Sequence, residues 1–266
     1  MRVVGLVGAL VTAVVLAPVT GCGSRSDGGA SGRDTAGTTG SAAQAPTDPK
    51  EQLVAGIRAL NTVPHRIAIK STTGTAGTGA EGAADPARRV ARLTQSVVVA
   101  GKTSKTVVVV LGADVYVRYD DGGIPGLPPG TWGHLDGRRL TSLRALGLGG
   151  TDDPSGMLAM VEAITSIERT GAQEVRGTLD LTARPSLLPD AVKVLGDAAR
   201  RAPWQARFDP QGRLVWLSVS IPAAGDRPAV ANETSYSAFG EPVTVDRPPA
   251  RETVEAPESL YKLLGG

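Results

Sequence analysis

Val97-Val98-Val99 and Val107-Val108-Val109-Val110-Leu111, joined through Ala100-Gly101-Lys102-Thr103-Ser104-Lys105-Thr106, decide the fold. A strand points successive side chains to opposite faces, so an unbroken run of valines is apolar on both. Such a sheet needs cover on two sides, from helices, a second sheet or a bound apolar ligand. Strands are expected over 88–100, 102–111 and 114–119, with Gly101-Lys102 and Gly112-Ala113 short enough for hairpin turns. Alternation places Val97, Val99, Val107, Val109, Val115 and Val117 on one face, a placement that a register shift of one residue would invert.

Upstream, Asp48-Pro49-Lys50-Glu51 opens a helix. Asp48 caps it, Pro49 fits the first helical position and Glu51 completes a capping box. Leu53, Ile57 and Leu60 share one face of that helix, and Pro64 closes it. A strand follows over 65–72, then a Gly/Ala-rich loop over 74–84. His65, beside Pro64, is expected to be an exposed boundary residue.

Downstream, Ile124-Pro125-Gly126-Leu127-Pro128-Pro129-Gly130 excludes helix and central strand, and 131–136 is a short strand. Leu143–Leu148 is an apolar segment. A second helix starts at Asp153-Pro154 and carries Met157, Leu158, Val161 and Ile164, which are expected to face the valine strands across a cavity. A hairpin around Gly171 and a third helix over 187–201 precede closing strands over 204–208, 213–221, 230–239 and 242–245. Asp209-Pro210-Gln211-Gly212 is a turn, and 257–264 a short amphipathic helix. Strands dominate, no internal repeat or second linker is present, and residues 48–266 read as a single α+β domain.

Ahead of that domain, residues 23–47 hold no large apolar side chain and form a flexible Gly/Ser/Thr tether. Residues 1–21 have the layout of an export signal: Arg2, a largely apolar stretch, then Val19-Thr20-Gly21 before Cys22. A buried core cysteine and a single membrane span are the competing readings. Pro18, the small residues Thr20-Gly21 and the absence of any other cysteine favour cleavage before Cys22. The resulting expectation is a chain attached through Cys22 to the extracytoplasmic face of the cell membrane.

The composition is that of a soluble domain, 41% hydrophobic and 20% charged, but only 3% aromatic, so Val, Leu, Ile and Ala must build the core. A net charge of +2 is too weak to argue for nucleic acid. One cysteine allows no internal disulfide. The two histidines, His65 and His134, lie in no metal-binding spacing, and a nucleophile elbow, a phosphate loop and a dinucleotide fingerprint are all missing. Asp120-Asp121 and Asp152-Asp153 read as a turn and a helix cap. No cofactor, no metal and no catalytic residue is expected.

The chain resembles the actinobacterial lipid-carrier lipoproteins of the LppX/LprG type, whose fold is like that of the periplasmic carrier LolA. The resemblance rests on Val19-Thr20-Gly21-Cys22, the tether, the capped first helix and the valine hairpins. It continues through Gly130-Thr131-Trp132, Asp152-Asp153-Pro154, Glu174-Val175-Arg176-Gly177, Phe208-Asp209-Pro210-Gln211-Gly212-Arg213-Leu214 and Tyr236-Ser237-Ala238-Phe239-Gly240. Gly177-Thr178-Leu179-Asp180 departs from the family pattern, in which a threonine and an aromatic follow the Arg-Gly step. The resemblance implies a curved antiparallel half-barrel wrapped around inserted helices, with an apolar cavity for acyl chains. It also implies a lipid or lipoglycan ligand and a partnership with an envelope transporter. A ligand-free envelope scaffold or sensor is the alternative, and a hydrolase built on His134 with Asp136 or Asp152 is a third class.

Overall fold

A computed structural model describes residues 48–73, 76–99, 102–120, 126–140, 155, 157–183, 195–223 and 228–264. The expected signal peptide, Cys22, the tether, the apolar segment 143–148, Asp152-Asp153-Pro154 and most of the expected third helix lie outside these residues.

The described strands form one open sheet. In chain order they are β1 (His65–Thr73), β2 (Ala76–Asp85), β3 (Val90–Val99), β4 (Lys102–Leu111), β5 (Asp114–Tyr119), β6 (Trp132–Asp136), β7 (Ile164–Gly171), β8 (Glu174–Leu179), β9 (Ala202–Phe208), β10 (Leu214–Ile221), β11 (Val230–Ser237) and β12 (Thr253–Glu255). Their lateral order is β12-β6-β5-β4-β3-β2-β1-β11-β10-β9-β8-β7. Two meanders, β1–β6 and β7–β11, are thus joined where β1 pairs with β11 (Ile67 opposite Tyr236, Ile69 opposite Thr234). Every pairing is antiparallel except β12 with β6.

Few helices accompany this sheet. Helix α1 (Pro49–Leu60) is capped as expected, Asp48 Oδ1 accepting from the backbone N–H of Lys50 at 2.6 Å and of Glu51 at 3.3 Å. Leu53, Ile57 and Leu60 are fully buried on one side of it. Gly56 lies so close to β9 and β10 that a Cβ there would meet the Phe208 ring at 2.9 Å. Helices α2 (Leu158–Glu162) and α3 (Glu258–Leu263) are short. The second helix therefore stops sooner than its apolar spacing predicts, because Ile164-Thr165 are β-branched and begin β7. Within the described residues, the expected third helix is a 3-10 segment, Gly196–Arg201.

Three further expectations are corrected. The segment 74–84 is not a loop, since Ala76–Asp85 is a central strand between β1 and β3. Its small residues serve close packing: a Cβ on Gly82 would lie 2.1 Å from the Arg92 carbonyl oxygen. Residues 242–245 form no strand, and Val245 packs on the outside of the sheet. His65 is not exposed. It is buried (1% accessible), with its ring 5.7 Å from that of Tyr236 and its Nδ1 2.8 Å from the Val63 carbonyl oxygen.

The register also separates the valines. Directly opposed residues in an antiparallel pair share a face. Val108 opposes Leu93 and Val117, and Val110 opposes Ala91 and Val115, so these six face the main core. Val107 opposes Arg118, and Val109 opposes Tyr116, on the other side. There Val107, Val109, Tyr116 and Trp132 form a second buried cluster, with Leu111 and Val245 packed against it. Both faces of the valine run are covered by protein, the inner by the main core and the outer by the segment that carries Val245.

Candidate functional site

The two faces of the sheet differ chemically. Alternation sends Ile67, Ile69, Leu93, Val108, Val110, Val115, Val117, Val175, Ala206, Leu217 and Val219 inward, where they join α1, Met157 and Val161 in one buried, mainly aliphatic cluster that also holds Trp204, Phe208 and Tyr236. Outward positions carry ion pairs. Arg176 Nε lies 2.6 Å from Glu168 Oε1, and Arg118 Nε lies 3.2 Å from Asp120 Oδ1. Each such exposed pair is worth at most about 1 kcal/mol. On the inner face of β1–β5 and β8–β11, the register places no Asp, Glu or Arg, and a single Lys, the exposed Lys102 at a strand end.

The expected cavity residues divide accordingly. Val115, Val117, Met157 and Val161 are buried in the inner cluster, with Leu158 and Ile164 packed against it. Val97, opposite Thr78 and Ser104, is half-buried on the same inner face. Val99 ends β3, and its side chain lies outside the described residues. Val107 and Val109 do not share that face. The correction follows from the period of two: in β4 the residues opposite Val115 and Val117 are the even-numbered Val110 and Val108.

Polar atoms within the inner face are the unexpected element. One row crosses it through directly opposed residues: Trp204, Val219, Asn232, Ser71, Thr78 and Val97. Asn232 is 7% accessible and Trp204 3%. Among the described residues, neither the amide nitrogen nor the oxygen of Asn232 has a hydrogen-bond partner, and neither has the Trp204 indole nitrogen. One row away Gln95, opposite Ala80 and Thr106, holds a buried Nε2 in the same condition. A buried polar group without a partner costs about 1–3 kcal/mol. The sequence held a signal for this site: in the alternation Val230, Asn232, Thr234, Tyr236, an amide stands where an apolar residue belongs.

On the outer face, Ser166, Glu168, Arg176, Thr178, Gln205 and Ser218, with Ile167 and Trp204, line an open groove of about 550 Å³ that includes none of the expected cavity residues. His134 also lies outward. Its Nδ1 is 2.9 Å from Glu255 Oε1 and its Nε2 3.0 Å from Asp114 Oδ1, while Arg247 Nη2 donates to Asp114 Oδ2 at 2.8 Å and another Arg247 nitrogen to the Tyr116 hydroxyl. Burial lowers the His134 pKa, but the two carboxylates outweigh it and raise the net value. With a carboxylate on each ring nitrogen, the charged form of this imidazole is favoured, and the contact with Glu255 ties β12 to the sheet. Asp136 binds Arg138 instead, bidentate at 2.9 Å, and sits at a pKa of about 2. The hydrolase pairing of His134 with Asp136 does not form, and Asp152 lies outside the described residues. Among the described residues no group of His, Cys, Asp and Glu is placed to hold a metal ion, and no helix is long and apolar enough to cross a membrane.

No protein-family model matches the chain, and no curated protein matches it. Among solved structures, a LolA superfamily protein from Nitrosomonas europaea is similar over 81% of this chain and 98% of its own, at 10% identity and a TM-score of 0.28. A DUF1329 family protein from Desulfovibrio piger is similar over 75% of this chain and 96% of its own, at 11% identity and a TM-score of 0.24. Likeness at these scores carries no argument about function, which rests on the chain's own residues.

Proposed function

We propose that this protein is a non-enzymatic lipid carrier of the cell envelope. Its mature chain begins at an acylated Cys22 on the extracytoplasmic face of the membrane, and the inner side of its sheet takes up acyl chains. The sheet curves around its helices as a half-barrel, and acyl chains enter between the inner face and Met157, Leu158, Val161 and Ile164. An envelope transporter loads or unloads it.

The observation that carries this reading is the chemical asymmetry of the sheet: mainly short aliphatic side chains inward, ion pairs outward. Short aliphatic side chains can part around a hydrocarbon without breaking a salt bridge; at Met157 the only hydrogen bond given up is the weak one that the Tyr236 hydroxyl donates to the Met157 sulfur at 3.1 Å. Each methylene moved from water contributes about 0.8 kcal/mol, so one long chain supplies substantial affinity. The export signal and Cys22 set the same surface close to a source of lipid.

The test is direct. Purified mature protein is extracted with organic solvent and the extract analysed by mass spectrometry, and delipidated protein is then titrated with a fluorescent acyl probe. Co-purified lipid and saturable uptake are expected. An empty extract together with no uptake would replace the carrier with the ligand-free scaffold.

A further inference from the structure

We propose that Asn232, with Trp204, forms a polar reading site inside the sheet that selects a neutral diacylglycerol-type lipid, one bearing ester carbonyls and a free hydroxyl. This deepens the carrier reading and rests on it.

Asn232 offers a donor and an acceptor and the Trp204 indole a donor, all buried and without partners among the described residues. Trp204 and Asn232 sit in one row, each directly opposite Val219, with their strands about 10 Å apart across β10. These atoms call for a ligand with several acceptor oxygens and one donor. The two ester carbonyls and the hydroxyl of a diacylglycerol supply that set.

Charge narrows the class further. Within the described strands β1–β5 and β8–β11, no Asp, Glu or Arg faces inward, and Lys102 is exposed at a strand end; Arg169 of β7, opposite Val175, is four strands from Asn232 and is engaged by Gln52. A fatty-acid carboxylate or a phosphodiester brought to Asn232 would therefore be desolvated without a counter-charge, which is strongly unfavourable. A triacylglycerol avoids that penalty but has no donor, and so leaves the Asn232 oxygen unpaired. Preference for the hydroxyl-bearing neutral lipid follows, because a site built on buried polar groups rejects analogues that fail to pair them.

The experiment uses delipidated mature protein and displacement of a pyrene-labelled alkane, with dioleoylglycerol, trioleoylglycerol and oleate as competitors. Wild type should bind the alkane and prefer dioleoylglycerol by roughly tenfold over the other two. Asn232→Leu should abolish that preference, keep alkane binding and raise the urea midpoint of the delipidated protein, since an unpaired amide is replaced by an apolar side chain. Trp204→Phe, which keeps a ring and deletes the N–H, should weaken dioleoylglycerol by roughly three- to tenfold and leave the alkane unchanged. Alkane binding without a dioleoylglycerol preference, or a preference that survives both substitutions, overturns the reading site and leaves the carrier standing. Absence of alkane and lipid binding in wild type overturns both. A lowered midpoint in Asn232→Leu with an unaltered preference would show that the amide serves the fold.

Discussion

Val109→Ala separates the two faces of the valine run. Val109 is completely buried, opposite Tyr116, in the outer cluster with Val107 and Trp132. The substitution removes two methyl groups, each worth about 0.8 kcal/mol of transfer, together about 1.6 kcal/mol. If the cluster fails to collapse, a void of roughly 40 Å³ at about 24 cal/mol per Å³ adds about 1 kcal/mol. The expected loss is therefore about 1.6–2.6 kcal/mol. With a urea slope of about 3 kcal/mol per molar, the midpoint falls by roughly 0.5–0.9 M. Urea unfolding of delipidated Val109→Ala, followed by far-ultraviolet circular dichroism, measures it. Acyl-probe affinity, taken in the same samples, should not change, because the side chain faces away from the interior. A normal midpoint combined with lost probe binding would refute the register and return Val109 to the cavity.

Three further outcomes are expected. His134 has a raised pKa, so its contribution to stability is full below its unfolded value of 6.5 and fades as pH rises through the folded value. Asp114, lowered by its hydrogen bonds to His134 and Arg247, contributes fully above 3.8 and fades as pH falls through its folded value. Between 3.8 and 6.5 both contributions are present. His134→Gln should flatten the decline above that window, and an unchanged pH profile would remove the histidine from it. Gly82→Ala drives a Cβ to 2.1 Å from the Arg92 carbonyl oxygen, within a central strand pair, and should destabilise by about 1–3 kcal/mol or more; an unaltered thermal midpoint would contradict that close approach. Cys22→Ala should leave the precursor uncleaved and free of diacylglycerol, and an unchanged mass and membrane fraction would point instead to a simple membrane-spanning anchor.

What the sequence alone determined is local. Asp48 and Pro49 mark a helix start because capping is settled within one turn. Lys102–Leu111 and Asp114–Tyr119 are strands at their expected bounds, because β-branched runs between glycine turns have few other conformations. Tertiary structure decided what depends on neighbours. A Gly/Ala-rich stretch became β2 because β1 and β3 offer hydrogen-bonding edges on both sides of it and need small residues between them. His65 is buried because Tyr236 and Phe239 close over it from a distant part of the chain. Four consecutive valines carry no internal sign of which pair faces inward, since period two is satisfied either way. Only pairing with Leu93, Ala91, Val115 and Val117 turns Val108 and Val110 to the core and leaves Val107 and Val109 to Tyr116 and Trp132. The amide of Asn232 is of the same kind: its residue type is written in the chain, but that no described residue pairs with it is a property of the folded interior.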